Sequence, residues 1–310
     1  MERLKKITIG SRSSKLSLIQ SDIVRDLILN NNSDYRDNSS FIEVRSFTTK
    51  ADKVIDRALS EIGGKGLFTS EIENSLINSK IDIAVHSMKD MATISDENLS
   101  IEAILKREDV RDVFISNKYS SLEDLPKNAI IGTSSLRRKA LLLRIRPDLQ
   151  IVNFRGNLLT RLSKLDRGDV DATILSYAGL KRLGLENRVT QIFSIEEFLP
   201  APAQGVIAIQ TRKEDNFVKL LLTKFNDQKA RMEVDAERLF LRLLDGSCKT
   251  PIAALCRINN EKVDFKGLIA TLDGSKIFEL NFSSKIDDYL DIITKKTLAI
   301  KEEYDNYHRN

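Results

Sequence analysis

The residues best suited to do chemistry in this chain sit in His86-Ser87-Met88-Lys89-Asp90, where an imidazole, a hydroxyl, an ammonium and a carboxylate crowd into five positions. A carboxylate beside a lysine and a hydroxyl can donate or accept a proton at a bound substrate. A second group is basic: Arg12, Arg137, Arg138, Arg155, Arg161 and Arg182 all fall in or after the turns that follow apolar runs. Guanidinium groups present a fixed fork of donors that matches carboxylates, so their recurrence points to a ligand with many carboxylates. Each well-formed charged hydrogen bond is worth roughly 1.5–3 kcal/mol, and several together hold a polyanion without a covalent bond. The third candidate is Cys248 in Asp245-Gly246-Ser247-Cys248-Lys249-Thr250-Pro251. Glycine and proline predict a loop there that presents the thiol, and Lys249 favours its thiolate. Cys256 lies inside the apolar run 252–258 and reads as core.

Elements must deliver these groups. Ile81, Ile83 and Val85 are β-branched and spaced by two, which predicts a buried strand in a parallel sheet. Residues 86–90 then fall at its carboxyl end, where open α/β sheets place their ligands. Residues 7–9 read as a strand and 10–14 as a turn before a helix with apolar positions Leu16, Ile19, Ile23 and Leu27. Arg12 and Ser14 stand at that helix start, a natural anion site. The pattern recurs at 129–132, a strand followed by Thr133, Ser134, Ser135, Leu136, Arg137 and Arg138. This is the sharpest anion-binding signal, with helix caps on a solvated basic face as the alternative. Strand 151–154 leads to Arg155, Gly156 and a helix carrying Arg161; strand 171–175 leads to Arg182.

Residues 41–48 read as a further strand. Segment 49–66 ends in Gly63-Gly64-Lys65-Gly66; no Ser or Thr follows the lysine, so it is no nucleotide loop, and a loop closing over a cleft suits it better. A helix is predicted over 67–78. Leu199-Pro200-Ala201-Pro202-Ala203-Gln204-Gly205 reads as a linker returning the chain to its first domain before strand 206–210. Helical spacing covers 217–244; strands 263–270 and 276–282 and a helix over 286–304 complete a small α+β unit.

The chain has 310 residues, 30% charged and 41% hydrophobic, which predicts a globular protein of two or three domains. A net charge of +4 announces no nucleic-acid partner. There is no run of about eighteen apolar residues and no secretory signal at the start, so no membrane and a cytoplasmic location are expected. Two cysteines and two histidines, widely scattered, predict no metal site.

Taken together, His86-Ser87-Met88-Lys89-Asp90, Gly132 to Arg138, Arg155-Gly156-Asn157, Ala178 to Gly184 and the Cys248 loop closely resemble, in order and spacing, the porphobilinogen deaminase (hydroxymethylbilane synthase) family. The resemblance implies two α/β domains built like type II periplasmic binding proteins with a cleft between them, plus a small α+β C-terminal domain. Their expected extents are 1–105 with 200–225, 106–199 and 226–310. It implies a dipyrromethane cofactor on Cys248 through a thioether, and a monomer. The implied reaction joins four porphobilinogen molecules head to tail with loss of ammonia, then hydrolyses the chain to hydroxymethylbilane. Loss of ammonia from an aminomethylpyrrole requires a proton for the amine and leaves an azafulvenium cation. Asp90 matches the carboxylate that serves both, with Lys89 assisting. Ser87, Lys89, Asp90, Thr133, Ser134, Ser135, Arg137, Arg138, Arg155 and Gly156 match cofactor-binding positions. Arg12, Ser14, Arg155, Arg161, Arg182 and Gln204 match substrate-binding positions, Gln204 in a hinge. Three residues depart from the family pattern: Glu61 where a lysine is common, Ala92 for a proline and Ala203 for a glycine. The rival reading is a non-catalytic binding protein for an organic polyanion, against which a presented thiol speaks. A DNA-binding regulator would need a helix-turn-helix, and neither end offers one.

Overall fold

A computed structural model describes residues 4–49, 66–246 and 250–309. The expected closing loop with Glu61, and Cys248 with its neighbours Ser247 and Lys249, lie outside the described residues. Among those described, the strands form three sheets.

The first sheet holds β1 (Ile7–Arg12), β2 (Ile42–Phe47), β3 (Ile83–Ser87), β4 (Leu99–Ile104) and β10 (Ile207–Arg212), in the order β2-β1-β3-β10-β4. The second holds β5 (Asp112–Ile115), β6 (Ile130–Gly132), β7 (Gln150–Val152), β8 (Ala172–Ser176) and β9 (Gln191–Ile192), in the order β7-β6-β8-β5-β9. The two orders are the same pattern: three parallel strands, then the strand that has just crossed from the other sheet, inserted antiparallel, then an edge strand. This is the doubled α/β architecture the resemblance implies. The third sheet is an antiparallel meander of β11 (Ile252–Asn259), β12 (Lys262–Ala270) and β13 (Ile277–Lys285). Helices α6 (Gln228–Leu243) and α7 (Tyr289–Arg309) cover one face of it around Phe240, Cys256, Phe265 and Ile293. On its other side Ala253, Leu255, Leu268 and Ala270 join the core of the second sheet, against Phe114, Ile131 and Ala140.

Three local expectations change. The first strand continues through Arg12, paired with Phe47 of β2. Gly10 is there for packing: a Cβ at that position would lie 2.4 Å from Ile81 Cδ1. The helix after it, α1 (Lys15–Asn31), buries Gln20, Ser21, Val24 and Ile28, while Leu16, Ile19, Ile23 and Leu27 are only partly covered. It is rotated so that a polar side chain, Gln20, faces inward to a partner on β3. Finally, β3 lies in a mixed sheet, parallel to β1 and antiparallel to β10.

The chain crosses between the first two sheets twice, after β4 and before β10, and polar contacts lock the crossings together. Glu108 N–H donates to Gly205 O at 3.2 Å and Arg107 Nε to Gln204 O at 3.1 Å. Gly205 has φ +90°, and a Cβ there would lie 2.5 Å from Glu108 O, so this approach needs glycine. Ala203, the departure from the family's glycine, adopts φ +61°, a conformation that costs an L-residue about 1 kcal/mol. Glu237 of α6, fully buried, accepts Arg107 Nη1 and Nη2 at 2.6 and 3.0 Å. The same carboxylate accepts Ala203 N–H at 2.6 Å and Cys256 N–H at 2.8 Å. One side chain thus joins both crossings to the third sheet. Arg238 adds a tie from α6 to the turn beyond Asp90, donating to Ala92 O at 2.6 Å.

Candidate active site

β1 and β3 run parallel as neighbours, so their carboxyl ends lie side by side. β3 ends at Ser87, and Met88–Asp90 form one 3₁₀ turn that turns Lys89 and Asp90 away from the apolar strand. Asp90 is partly exposed, with its Oδ2 3.9 Å from Arg12 Nη1 at the end of β1. The Arg12 guanidinium stacks over Phe68 at 4.8 Å. Ser87 Oγ is 3.0 Å from Nε2 of buried Gln20. Ser14 caps α1, accepting from Ser17 N–H at 3.2 Å.

Lys89 reaches across to the second crossing, donating to Gln204 Oε1 at 3.1 Å. Burial, and then the positive charge of Arg138, lower its pKa to about 8. Arg161, on α4 (Leu158–Asp166), has its pKa lowered to about 10 by burial and then by Arg138; Asp90, Arg155 and Arg12 also act on it. The structure thus gathers Arg12, Lys89, Asp90, Arg138, Arg155 and Arg161, from two sheets, into one electrostatic neighbourhood. Arg155 is buried, and Gly156 O accepts from Arg161 Nε at 2.9 Å.

The hydroxyls after β6 work mainly within the backbone. Thr133 Oγ1 accepts Ser135 N–H at 3.2 Å, Ser134 Oγ bonds Asn153 and Phe154 N–H, and Ser135 caps α3 (Leu136–Ile145). The two arginines that follow are not on a solvated face: Arg137 and Arg138 are 5% and 6% exposed. Arg137 donates to Leu199 O and Arg138 to Ile174 O, each at 2.8 Å. Both meet the carboxylate of Asp112 at 2.7 Å. The Nε–H groups of both remain buried without a hydrogen-bond partner, spare donors suited to anionic oxygens. Arg182, on α5 (Tyr177–Leu183), donates to Gly205 O at 2.7 Å, which ties the second sheet's helix to the second crossing.

Sequence reading passed over Gln20, Asp112, Gln210 and Glu237. A charged residue opening a strand as apolar as Val113–Ile115 was the available signal for Asp112. Gln210 holds His86: the ring Nε2 donates to Gln210 Oε1 at 3.1 Å, and Gln210 Nε2 donates to Glu73 Oε1 at 3.1 Å. Burial lowers the His86 pKa from 6.5 to about 4, so the folded ring is neutral at pH 7. The unfolded chain takes up this proton near pH 6.5 and the folded chain only near 4. Its contribution to stability is therefore present above pH 6.5 and lost as pH falls through 4, a change of roughly 3 kcal/mol. Urea unfolding of wild type and His86→Asn between pH 7 and 4 checks this. The wild type is expected to lose stability more steeply, and parallel curves would assign the slope to other groups.

The model described as "Porphobilinogen deaminase, dipyromethane cofactor binding domain" matches residues 7–220, and the one described as "Porphobilinogen deaminase, C-terminal domain" matches 231–298. A porphobilinogen deaminase of Nitrobacter hamburgensis is 47% identical over 272 residues, 88% of this chain and 85% of that one. The chain belongs to the porphobilinogen deaminase family. A second relative, the porphobilinogen deaminase of Nitrobacter winogradskyi, is 46% identical over the same shares of the two chains. Among solved structures, a nutrient-binding protein from Burkholderia cenocepacia bound to methionine is matched with TM-score 0.45 and 16% identity, over 72% of this chain and 93% of that one. Membership in the family makes the chain an enzyme of tetrapyrrole biosynthesis that uses a dipyrromethane cofactor, and does not favour the passive polyanion binder. Among the described residues no helix is long and apolar enough to cross a membrane.

Proposed function

We propose that the Lys89–Asp90 turn is the condensing centre for porphobilinogen, and that the basic groups around it hold the acetate and propionate groups of cofactor, substrate and growing chain. The observation that carries this is the meeting of Asp90 with cations from both sheets, Arg12 at 3.9 Å among them, beside buried arginines whose Nε–H groups are still unpartnered. Such donors suit the two carboxylates on each ring of dipyrromethane. Arg137, Arg138, Arg155 and Lys89, with Ser87, Thr133, Ser134, Ser135 and Gly156 lining the strand ends, would hold that cofactor. Cys248 would anchor it, and Arg12, Ser14, Arg161, Arg182 and Gln204 would serve the incoming substrate and the hinge. When bound, dipyrromethane supplies the pyrrole carbon that accepts the first unit.

The chain's own part is proton handling. Asp90 gives its proton to the aminomethyl nitrogen, the C–N bond breaks, and ammonia leaves. The carboxylate so formed then faces the azafulvenium cation and takes up the proton released when the new carbon–carbon bond closes. This reading includes three domains with the extents expected from sequence, a cytoplasmic location and a monomer.

Intact mass under denaturing conditions tests it. Wild type is expected to carry an excess worth two pyrrole units, absent from Cys248→Ser, and to add one-pyrrole steps with porphobilinogen. A bare mass that neither porphobilinogen nor preassembled tetrapyrrole changes, in folded protein, would end this reading.

A further inference from the structure

Asp112 opens β5 and is fully buried. Its Oδ1 accepts Arg138 Nη2 at 2.7 Å and Gln204 Nε2 at 3.0 Å. Its Oδ2 lies 2.7 Å from Arg137 Nη2 but makes no well-angled hydrogen bond, so that contact is chiefly one of charge. Gln204 in turn holds Lys89 through Oε1 and Val110 O through Nε2. One carboxylate therefore stands where both crossings, the α3 N-terminus and the turn bearing Asp90 come together. Two cations, Arg137 and Arg138, pair with this buried carboxylate directly, and a third, Lys89, is linked to it through Gln204 while also feeling Asp90. Burial alone pushes the Asp112 carboxyl up, yet Arg137 and Arg138 outweigh it and hold the group well below the usual carboxylate range.

Two guanidinium groups brought this close under burial repel each other and lose hydration. A fixed negative charge offsets both costs before any ligand arrives. It also occupies Nη2 of each arginine while leaving each Nε–H without a partner. We propose that Asp112 is a positioning residue: a built-in counter-carboxylate that presets Arg137, Arg138 and, through Gln204, Lys89, so that cofactor carboxylates meet donors already in place. This rests on the cofactor-site reading above, and it adds that the cluster is only partly neutralised until those carboxylates bind.

The consequence is a coupling between Asp112 and the cofactor. Asp112→Asn keeps the shape and removes the charge, and a bound polycarboxylate can then replace part of what was lost. Melting temperatures of wild type, D112N, C248S and the D112N/C248S double variant measure this, with intact mass reporting which proteins are loaded. D112N is expected to lower the melting temperature of the cofactor-free C248S chain by at least ~4 °C more than that of the loaded chain, about 2–3 kcal/mol of coupling in a protein of this size. Equal losses in loaded and cofactor-free chains would mean that Asp112 merely packs the hinge, and would overturn the proposal. If D112N folds in neither form, D112N/R137M decides, because it removes one buried cation with the anion. Recovery of folded protein supports the charge role, and a double variant as unfolded as D112N refutes it. A wild type of bare mass would instead fail the cofactor reading, and this proposal with it.

Discussion

Replacing Asp90 by alanine is expected to lower the rate of porphobilinogen consumption by ~10²–10⁴-fold, the range typical of a lost acid–base group, with little change in stability. The two halves of that expectation come from the same geometry. Asp90 sits in a single 3₁₀ turn, partly exposed, and its nearest cation among the described residues, Arg12, is 3.9 Å away. A loose, half-solvated ion pair of this kind is worth about 0–1 kcal/mol to folding. The carboxylate has no such substitute: Arg12, Lys89 and Arg161 bind carboxylates, and Lys89, with its lowered pKa, has a proton to give, but all three are cations that oppose the positive charge developing on the ring and cannot stabilise the azafulvenium left behind. Steady-state ammonia release, measured beside a thermal melt, checks both halves. Turnover within a few-fold of wild type would remove Asp90 from the proton transfer; a large loss of stability would mean that the rate effect is indirect.

The largest effect on folding is expected at Glu237. Glu237→Ala leaves the Arg107 guanidinium buried without its bidentate partner and strips acceptors from the N–H groups of Ala203 and Cys256. Breaking a buried pair from one side costs about 3–5 kcal/mol, and each orphaned buried donor about 1–3 kcal/mol more. Glu233 Oε2 lies 3.7 Å from Arg107 Nη1 and recovers only part of this. Against a total stability of about 5–15 kcal/mol the variant should be marginal or unfolded, which urea titration followed by circular dichroism reads directly. A loss under 1 kcal/mol would show that water or Glu233 takes over the hub. Replacing Arg107 and Glu237 together by leucine and methionine should restore much of the deficit, since an absent pair costs less than half a pair.

Much of the architecture was legible because short apolar runs ended by glycine, serine or arginine are what strands feeding an α/β cleft require. The runs read as strands at 81–85, 129–132, 171–175, 206–210 and 263–270 coincide with β3, β6, β8, β10 and β12 to within a few residues. The turn at 10–14 was misread because glycine after a strand usually signals a bend, whereas Gly10 makes room for Ile81. The continuous helix over 217–244 breaks at residues 223–227, where Asp227 starts a new helix by accepting Ala230 N–H. Edge strand β9 has two residues, too few for any alternation to register.

Within the site, Asp90 and the arginines could be found because each is carried in a compact motif. Their partners could not. Gln20 meets Ser87 across 67 residues, Asp112 meets Gln204 across 92 and Glu237 meets Arg107 across 130, and no local spacing encodes such pairs. The arginines after β6 show the difference most clearly. Sequence pointed them at a ligand, and the fold first gives them Asp112.

The position of β10 sets an order of events during synthesis. It lies hydrogen-bonded between β3 and β4, yet it is translated after every strand of the second sheet. While residues 112–192 leave the ribosome and can pair among themselves, the first sheet is still split, with β3 and β4 each presenting an open edge. The middle of the chain can therefore close before its beginning, and the nascent N-terminal segment keeps two unpaired strand edges until residue 212 has emerged. A chain that stops before that point leaves its first sheet open at both β3 and β4, because the strand that would seal it has not yet been made.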